Sequence, residues 1–589
     1  MTLLISQIHI KNYRSCIDTQ LDLLDFTVLI GYNNAGKSNC LSALEWLIRK
    51  TVLSEKDFNN PNQPLEIEGT ITGIKTEHLD ALETKHKTAM TPFINNESLK
   101  IKRLQSAPGG KVSDIKLEVW NPHTSTWVPN PTGIDNAILP KFFPEPIRIS
   151  AMENAADDAT KAKTTSTIGK LLGKLTESIQ QQHKVKIAAH LGRVNEYLSS
   201  TGTRRLPALD DIDRNVNDKV QDFFPGIGIK LHFESPTFEE IFKAGTIKVL
   251  EEGRPERDFT SYGHGSQRSI QMALIRHLAE ITKETPASTT LLLIDEPELY
   301  LHPFAIEQLR ESLLMLSSHG YQIIISTHSA QMVSAKLAEH ALLIRKDGST
   351  GTHARTRLID AIKKVIKDNP TQAELLFSLT YSSQVLFAEK VLLAEGLTES
   401  RLLPFLFQQF HQKTLGQQQY ALIALGGVDN TGKTFKVLEQ MHIPSKAICD
   451  LDYAFKGAVE QKFLNQSDDI YINCLAAIKE KASFYDISLE QGKPIKDKGK
   501  ATSRLLPEIY EILAADTDIQ PHIEKLHQHL KAHNIWLWRK GAIEVPLGLK
   551  NKDETERARF RHEVNQKGLC MVCEDYDEVT QLMEWIVQD

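Results

Sequence analysis

Gly31-Tyr32-Asn33-Asn34-Ala35-Gly36-Lys37-Ser38 fits the pattern G-x-x-x-x-G-K-[ST]. It follows an apolar run, Phe26 to Ile30, and opens an amphipathic run carrying Leu41, Leu44, Leu47 and Ile48. Strand, glycine loop, helix is the context in which this motif has physical meaning. Bare backbone amides wrap phosphate oxygens, and the helix N-terminus adds positive potential. The reading is an α/β nucleotide-binding fold with Asn33, Asn34, Gly36, Lys37, Ser38 and Asn39 at the phosphates. Lys37 is expected to reach the β/γ-phosphates of ATP and Ser38 to hold its Mg²⁺. The alternative is a chance glycine-rich turn, and the partners found downstream argue against it.

At 589 residues the chain exceeds one core, so two to four domains are expected. With 41% hydrophobic and 24% charged residues it reads as a soluble globular protein. No apolar run approaches the ~20 residues a membrane span needs. The N-terminus alternates like a strand and lacks a small-residue cleavage site, so no signal peptide is read and the expected location is cytoplasmic. Six cysteines are scattered, and Cys570-x-x-Cys573 has no second pair to complete a zinc site. A net charge of −6 excludes a globally basic nucleic-acid binder. Any DNA contact must use a local basic groove or bound cations.

In chain order, residues 3–10 and 21–30 read as strands leading into the phosphate loop, and 65–74 and 115–120 as antiparallel strands. The interval 105–135 is rich in Pro, Gly, Asn and Thr and reads as loop, and 147–151 reads as a short buried strand. From 164 to 224, Ile168–Ile179, Ile187–Leu198 and Ile212–Phe223 keep helical spacing, which reads as an insertion of about three helices. One apolar stripe per helix must be buried against the others or a second chain, so dimerisation is the expected use. Strand-like alternation returns at 227–250. Strands then end in Asp295-Glu296-Pro297-Glu298 and in Ser326-Thr327-His328-Ser329, and 341–346 is a last strand of this unit.

Apolar residues ending in Asp295-Glu296 supply the second half of a nucleotide site. Asp295 is expected in the Mg²⁺ shell and Glu296 at the attacking water. His328 is placed to touch the γ-phosphate. The set resembles the ABC-type ATPases of the SMC and RecF class. Its matching pieces are the loop at 31–38, Ser261-Tyr262-Gly263-His264-Gly265-Ser266-Gln267-Arg268, Leu293-Ile294-Asp295-Glu296-Pro297 and His328. The segment at 261–268 stands where that class carries its signature and departs from the transporter form Leu-Ser-Gly-Gly-Gln. The resemblance implies ATP sandwiched between two heads, with Ser261, Gly263 and Gly265 completing the partner's site, hence at least a homodimer.

Beyond a linker at 347–385, a second βα alternation begins. Val391–Ala394 ends in Glu395-Gly396-x-x-Glu399, 420–425 ends in Gly426-Gly427, and 446–449 ends in Asp450-Leu451-Asp452. Carboxylates gathered at strand ends repel unless cations lie between them, and hard oxygen ligands select Mg²⁺ or Mn²⁺. Two such ions suit phosphodiester cleavage. The ordered set looks like a Toprim domain. ATPase followed by Toprim resembles the OLD (overcoming lysogenisation defect) nuclease family, which takes in the nuclease subunit of the Gabija anti-phage system. Phe387-Ala388-Glu389-Lys390 and Trp538-Arg539-Lys540-Gly541-Ala542-Ile543-Glu544 share in that likeness.

The resemblance implies a fold of an ABC-type ATPase head, 1–163 and 225–346, interrupted by a helical dimerisation insertion at 164–224 and followed by a Toprim nuclease domain at 386–589. It implies a nucleotide-regulated, divalent-metal-dependent DNA endonuclease in anti-phage defence. Glu395, Glu399, Asp450 and Asp452 are the implied metal ligands, Glu395 and Asp450 being catalytic as well. Glu544 is a further ligand, and Lys540 is the catalytic lysine. Glu508, Glu511 and Asp516 are either additional acids or a solvated face. Lys493, Lys496, Lys498, Lys500 and Arg504 either track a DNA backbone or form a solvated loop; Arg557, Arg559 and Arg561 are a weaker basic set. A separately encoded helicase partner has room in this picture. An ATP-driven DNA clamp without cleavage is the alternative. A topoisomerase is disfavoured because no segment marks the tyrosine it needs.

Overall fold

The computed structural model describes residues 3–143, 146–150, 167–243, 247–281, 289–333, 337, 340–365, 386–425, 428–495 and 504–588. The chain forms two compact units. One comprises Met1–Leu29, Asn33–Met332 and Lys346–His353; the other comprises Ile30–Tyr32, Val333–Arg345 and Ala354–Asp589.

The first unit is entered through β1 (Leu4–Tyr13), β2 (Cys16–Asp22) and β3 (Phe26–Ile30) and extended by β4 (Leu65–Thr72), β5 (Leu99–Gln105), β6 (Lys116–Asn121) and β7 (Thr126–Pro129). An antiparallel run has the order β7-β6-β5-β4-β1-β2. In β1 the buried residues Ile5, Ile8 and Ile10 break strict alternation, because a bulge between Ile5 and Gln7 shifts the register against β4. Two of these strands escape the sequence pattern. Inward positions of β5 include Arg103 and Gln105, both buried. Arg103 Nη2 donates to Asp135 at 2.8 Å and its Nε to the Leu47 carbonyl at 2.9 Å. β7 lies within the stretch expected to be loop, where Trp127 packs edge-on to Trp120 with ring centroids 5.4 Å apart.

A parallel run β12-β11-β8 joins β8 (Ile147–Ile149), β11 (Thr290–Asp295) and β12 (Tyr321–Thr327). β11 and β12 are buried along their whole length, as strands covered on both faces must be. Between β8 and β11 in the chain lie β9 (Lys248–Val249) and β10 (Arg257–Asp258), followed by the helix His264–Ile281.

Among the described residues the stretch 164–224 holds two helices, Thr167–Leu198 and Pro207–Phe223, rather than three. The first two periodic stretches are one continuous helix, since neither Gly nor Pro stands between Ile179 and Ile187 to end it. The alternation at 227–250 is not a strand over most of its length. Its backbone is bonded instead by side chains of the second helix. Ile229 N donates to Asn217 Oδ1 at 2.6 Å, Asn217 Nδ2 donates to the Ile229 carbonyl at 2.9 Å, and Leu231 N donates to Asp213 Oδ1 at 2.9 Å. These bonds satisfy an extended chain without a neighbouring strand.

After β13 (Leu342–Asp347), residues expected to be linker form β14 (Gly351–Ala354), which pairs with β2 at Cys16, and the helix Leu358–Val365. The rest of that linker, 366–385, lies outside the described residues, as do Gly426, Gly427, Lys496, Lys498 and Lys500.

The second unit centres on a four-stranded parallel sheet of order β16-β15-β17-β20, from β15 (Lys390–Ala394), β16 (Tyr420–Ala424), β17 (Ser445–Cys449) and β20 (Ile535–Leu537). A small ribbon, β18 (Leu489–Glu490) and β19 (Lys493–Pro494), lies between β17 and β20 in the chain. The core gathers Leu402, Phe407, Trp536, Trp538, Met583, Trp585 and Ile586 with Leu392, Ala394 and Ile448 of the sheet. The acidic residues therefore sit where β15 and β17 end, the position at which open parallel sheets bind ligands.

Candidate functional site

The phosphate loop joins β3 to the helix Lys37–Ile48. Asn34 and Gly36 take left-handed backbone, φ +68° and +100°. A Cβ on Gly36 would stand 2.1 Å from Thr352 Oγ1 and 2.8 Å from Ser15 Oγ, so only glycine fits. Thr352 of β14 donates to the Ala35 carbonyl at 3.0 Å and bonds Ser15 Oγ at 2.8 Å, and Asn39 Nδ2 donates to Ser15 Oγ at 2.7 Å. The supposed linker thus braces the loop. Asn33, Asn34 and Ser38 face solvent, and Lys37 is buried.

Lys37 Nζ donates to His328 Nε2 at 2.7 Å, and His328 Nε2 lies 3.4 Å from Glu296 Oε1. Burial and the Lys37 ammonium hold the His328 pKa below its ordinary value, which keeps the ring neutral and able to accept. Asp295 accepts from Ser326 Oγ and has Arg148 Nη2 at 3.6 Å. Glu296 occupies left-handed backbone, φ +49°, uncommon for a residue with a Cβ. Arg268 Nη2 donates to the carbonyls of Asp295 and Glu296 at 3.0 and 2.9 Å, fastening the segment at 261–268 to the end of β11. Ser261 Oγ donates to the Asp258 carbonyl at 2.6 Å. Gly263 has open space where a Cβ would stand, and the same position on Gly265 is 3.7 Å from Tyr300 Cβ.

In the second unit Glu395 leaves the end of β15 and Glu399 sits in the first turn of the helix Leu397–His411. Gly396 lets Glu399 fold back, since a Cβ there would be 2.9 Å from Glu399 Oε2. Asp450 N donates to Glu395 Oε2 at 3.1 Å, tying the two strand ends together. Glu395 and Glu399 are buried, Asp450 is half-buried, and its buried Oδ1 has no hydrogen-bond partner. Burial, then the charge of Asp452, pushes the Glu395 carboxyl up to about 8. Burial, with Glu544 adding to it, pushes Glu399 up to about 7. Asp450 is raised by burial and by Glu399, Glu395 and Glu544; Asp452 is raised by burial.

The cation here is one that the sequence reading missed. Lys552 Nζ stands 3.2 Å from Glu544 Oε2. Burial opposes its charge, yet Glu544, Asp450 and Glu399 hold its pKa above the ordinary value. Lys540 is placed elsewhere. It pairs with Asp575 at 2.7 Å and lines a polar cavity of about 490 Å³ with Arg539, Glu524 and Asp577. Of the three additional acids, Glu511 feels the centre's charges: burial raises its pKa, Lys552 lowers it, and Glu544 and Glu508 raise it. Glu508 Oε2 accepts from Leu505 N at 2.8 Å as a helix cap, and Asp516 accepts from Tyr485 Oη at 2.8 Å. Arg557 and Arg559 pair with Glu554 and Glu556 at 2.8 and 2.6 Å, and Arg504 Nη1 donates to the Tyr485 carbonyl at 2.8 Å.

As placed, no three acidic, histidine or cysteine groups among the described residues close on a single ion. The donor set nevertheless fits divalent cations. It is all hard oxygen, it is buried with excess negative charge, and Asp450 Oδ1 is orphaned. No helix among the described residues is long and apolar enough to cross a membrane.

A family profile for the AAA ATPase domain matches residues 4–107 and 139–333, and one for the overcoming lysogenization defect protein-like TOPRIM domain matches 386–452. The chain is 39% identical over 600 residues to the Old nuclease of Escherichia phage P2, across 100% of both chains. It is 23% identical over 472 residues to the OLD nuclease of Thermus scotoductus, covering 76% of this chain and 82% of that one. A solved Smc head bound to the C-terminal winged-helix domain of ScpA is matched at 15% identity over 61% of this chain and 99% of that chain, with a TM-score of 0.36.

Proposed function

The chain belongs to the OLD nuclease family, and from that premise we propose that it is an ATP-binding endonuclease that cuts DNA at its carboxylate centre and is regulated by nucleotide at its phosphate loop. One observation carries the reading: Glu395, Glu399, Asp450 and Asp452 are drawn together against electrostatics, with pKa values raised by burial and crowding. Such crowding costs free energy unless charge is relieved, and bound cations would relieve it.

Glu395, Glu399, Asp450 and Asp452 would hold Mg²⁺ or Mn²⁺, with Glu544 and Glu511 beside them. Cations bound there would supply the charge that lowers the pKa of water and neutralises the scissile phosphate. Lys552, rather than Lys540, is assigned the stabilisation of charge that develops on the phosphate oxygens, because Glu544, Asp450 and Glu399 all act on its ammonium. Glu395 accepts a backbone N–H from Asp450 and is the residue we assign to proton transfer.

In the other unit Lys37 exchanges His328 for the nucleotide's β/γ-phosphates. Ser38 and Asp295 support the Mg²⁺ of ATP, Glu296 orients water, and His328, once released, senses the γ-phosphate. Ser261, Gly263 and Gly265 serve a second copy's nucleotide, and the exposed apolar residues of the insertion, Val185 and Phe223 among them, support homodimerisation. Defence against phage belongs to this reading through the family and not through the chemistry of the site.

The test is relaxation and linearisation of supercoiled plasmid with Mg²⁺ or Mn²⁺, with and without ATP. Asp450→Ala is expected to lower cutting by at least ~10³-fold while ATP hydrolysis persists. Lys37→Ala is expected to lose ATP hydrolysis and the response of cutting to ATP. Parent-like cutting by Asp450→Ala would falsify the assignment of the centre.

A further inference from the structure

We propose that residues 538–541 form a bracket that sets the position of Asp450 and Asp452, with Arg539 as its anchoring, positioning residue. The proposal rests on the reading that those carboxylates form the cutting centre.

The loop carrying the two aspartates leaves β17 at Cys449 and turns through Leu451–Phe455. Its backbone is held by one stretch on both sides of Asp450. Trp538 N donates to the Cys449 carbonyl at 3.0 Å, and Leu451 N donates to the Gly541 carbonyl at 2.7 Å. Leu451 is the residue between the two carboxylates, so the Gly541 carbonyl fixes the point about which both side chains are aimed. Gly541 has φ +107°, and a Cβ there would lie 3.1 Å from Glu511 Cα and 3.3 Å from its N. Only a bare α-carbon lets the bracket approach Glu511 this closely.

The bracket is anchored away from the carboxylates. Arg539 N and Nε donate to Glu578 Oε1 at 3.0 and 3.1 Å, Nη1 donates to Glu524 Oε2 at 3.2 Å, and Nη2 donates to Gln581 Oε1 at 3.0 Å. Glu524 is on the helix Gln520–Lys531; Glu578 and Gln581 are on the helix Tyr576–Val587. Lys540 adds a second tie, to Asp575, the N-cap of that last helix. Glu578 is 1% exposed, so its charge depends on Arg539. A rigid fork spanning two helices suits positioning better than lysine, a point charge on a flexible stem. Carboxylate centres also lose function on displacements of ~1 Å.

The experiment uses the full chain with Arg539→Ala, Arg539→Lys and Glu578→Gln. Three quantities are read: amide exchange at Leu451 without metal, Mn²⁺ affinity by calorimetry, and plasmid cutting against Mn²⁺ concentration. ATP hydrolysis is the control. Arg539→Ala is expected to speed Leu451 exchange and to weaken Mn²⁺ binding about tenfold, as loss of a group behind metal ligands does. Cutting should recover in part at high Mn²⁺, and ATP hydrolysis should stay within about twofold of the parent. Arg539→Lys should fall between parent and Ala. Should Arg539→Ala not fold, Glu578→Gln, of the same shape, carries the same readouts with a smaller shift. Unchanged Leu451 exchange and Mn²⁺ affinity in the folded variants overturn the bracket. These two readouts decide the matter even if the parent cuts no DNA, in which case it is the proposed activity that fails.

Discussion

Lys37 and His328 meet at 2.7 Å in the phosphate-loop unit, and Asp295, Glu296 and Glu298 each have a partner beside them. In the other unit Glu395, Glu399, Asp450 and Asp452 crowd together, with Lys552 and, acting on Asp452, Lys456 as nearby cations. The contrast separates two ways of preparing a site. The phosphate loop pairs Lys37 with His328 internally, although burial and the Glu296 charge raise the Glu298 pKa and leave its Oε2 without a hydrogen bond; on the proposed reading a nucleotide would displace His328 to engage Lys37. The carboxylate centre is out of balance, and on the proposed reading cations would complete it. Regulation fits the first arrangement, since a balanced site is stable both empty and filled; covalent chemistry fits the second.

The sharpest way to break this comparison is to remove its cations one at a time. Lys552→Ala is expected to lower plasmid cutting by ~10²–10³-fold, the usual effect of losing a group that stabilises developing charge. Lys540→Ala, which loses a half-exposed pair with Asp575, is expected to lower it by less than about fivefold. ATP hydrolysis should persist in both. A reversed order of effects would return the catalytic lysine to Lys540 and make Lys552 a mere counter-charge for Glu544.

The same pair shows what the sequence could and could not reveal. Lys540 was readable because it follows a buried strand in a distinctive Trp-Arg-Lys-Gly run. Lys552 sits in Lys550-Asn551-Lys552, which looks like any solvated loop until the fold brings it to Glu544. Buried strands β3, β11, β12, β15 and β17 were legible, since continuous apolar runs ending in Gly, Asp, Glu or, for β12, Ser-Thr-His have few other readings. β14 was not: Gly351-Thr352-His353-Ala354 has no apolar pattern, and its role comes from Thr352 meeting Ala35. Residues 227–233 misled in the opposite sense, because alternating Ile227, Ile229, Leu231 and Phe233 lie along a helix whose Asn217 and Asp213 bond the backbone.

A second test strains the balanced site. Gly36→Ala puts a Cβ 2.1 Å from Thr352 Oγ1 at a φ of +100°. The cost is expected to be ~1–3 kcal/mol, or about five- to 150-fold in ATP affinity if it falls on the nucleotide-ready loop. Adding Thr352→Ala should recover part of that loss by removing the blocking atoms, while the backbone strain remains. Mn²⁺ affinity at the carboxylates should not change. A Gly36→Ala protein that binds ATP like the parent would show that the loop moves away from Thr352 when it takes nucleotide.

The smallest expected effect is the most direct measure of the imbalance. Glu395 and Glu399 are raised to about 8 and about 7 from an ordinary value of 4.5. Between that value and about 8 the folded protein therefore holds protons that the unfolded chain has released. Stability conferred by these groups is full at low pH and is lost as pH rises through the folded values. After chelation, the melting transition of the carboxylate unit should fall by several degrees from pH 5 to pH 8.5, at ~2–4 °C for each kcal/mol lost. Near-ultraviolet signals from Trp536, Trp538 and Trp585 report this unit, since all three lie in its core. Adding Mg²⁺ or Mn²⁺ should reverse the trend, because cations bind the deprotonated carboxylates and their stabilisation grows with pH. Asp450→Asn removes one of the crowded charges and should flatten the slope without metal. A metal-free transition that holds steady or rises over this range would mean that the four carboxylates are not crowded in solution, and the contrast between the two sites would lose its physical basis.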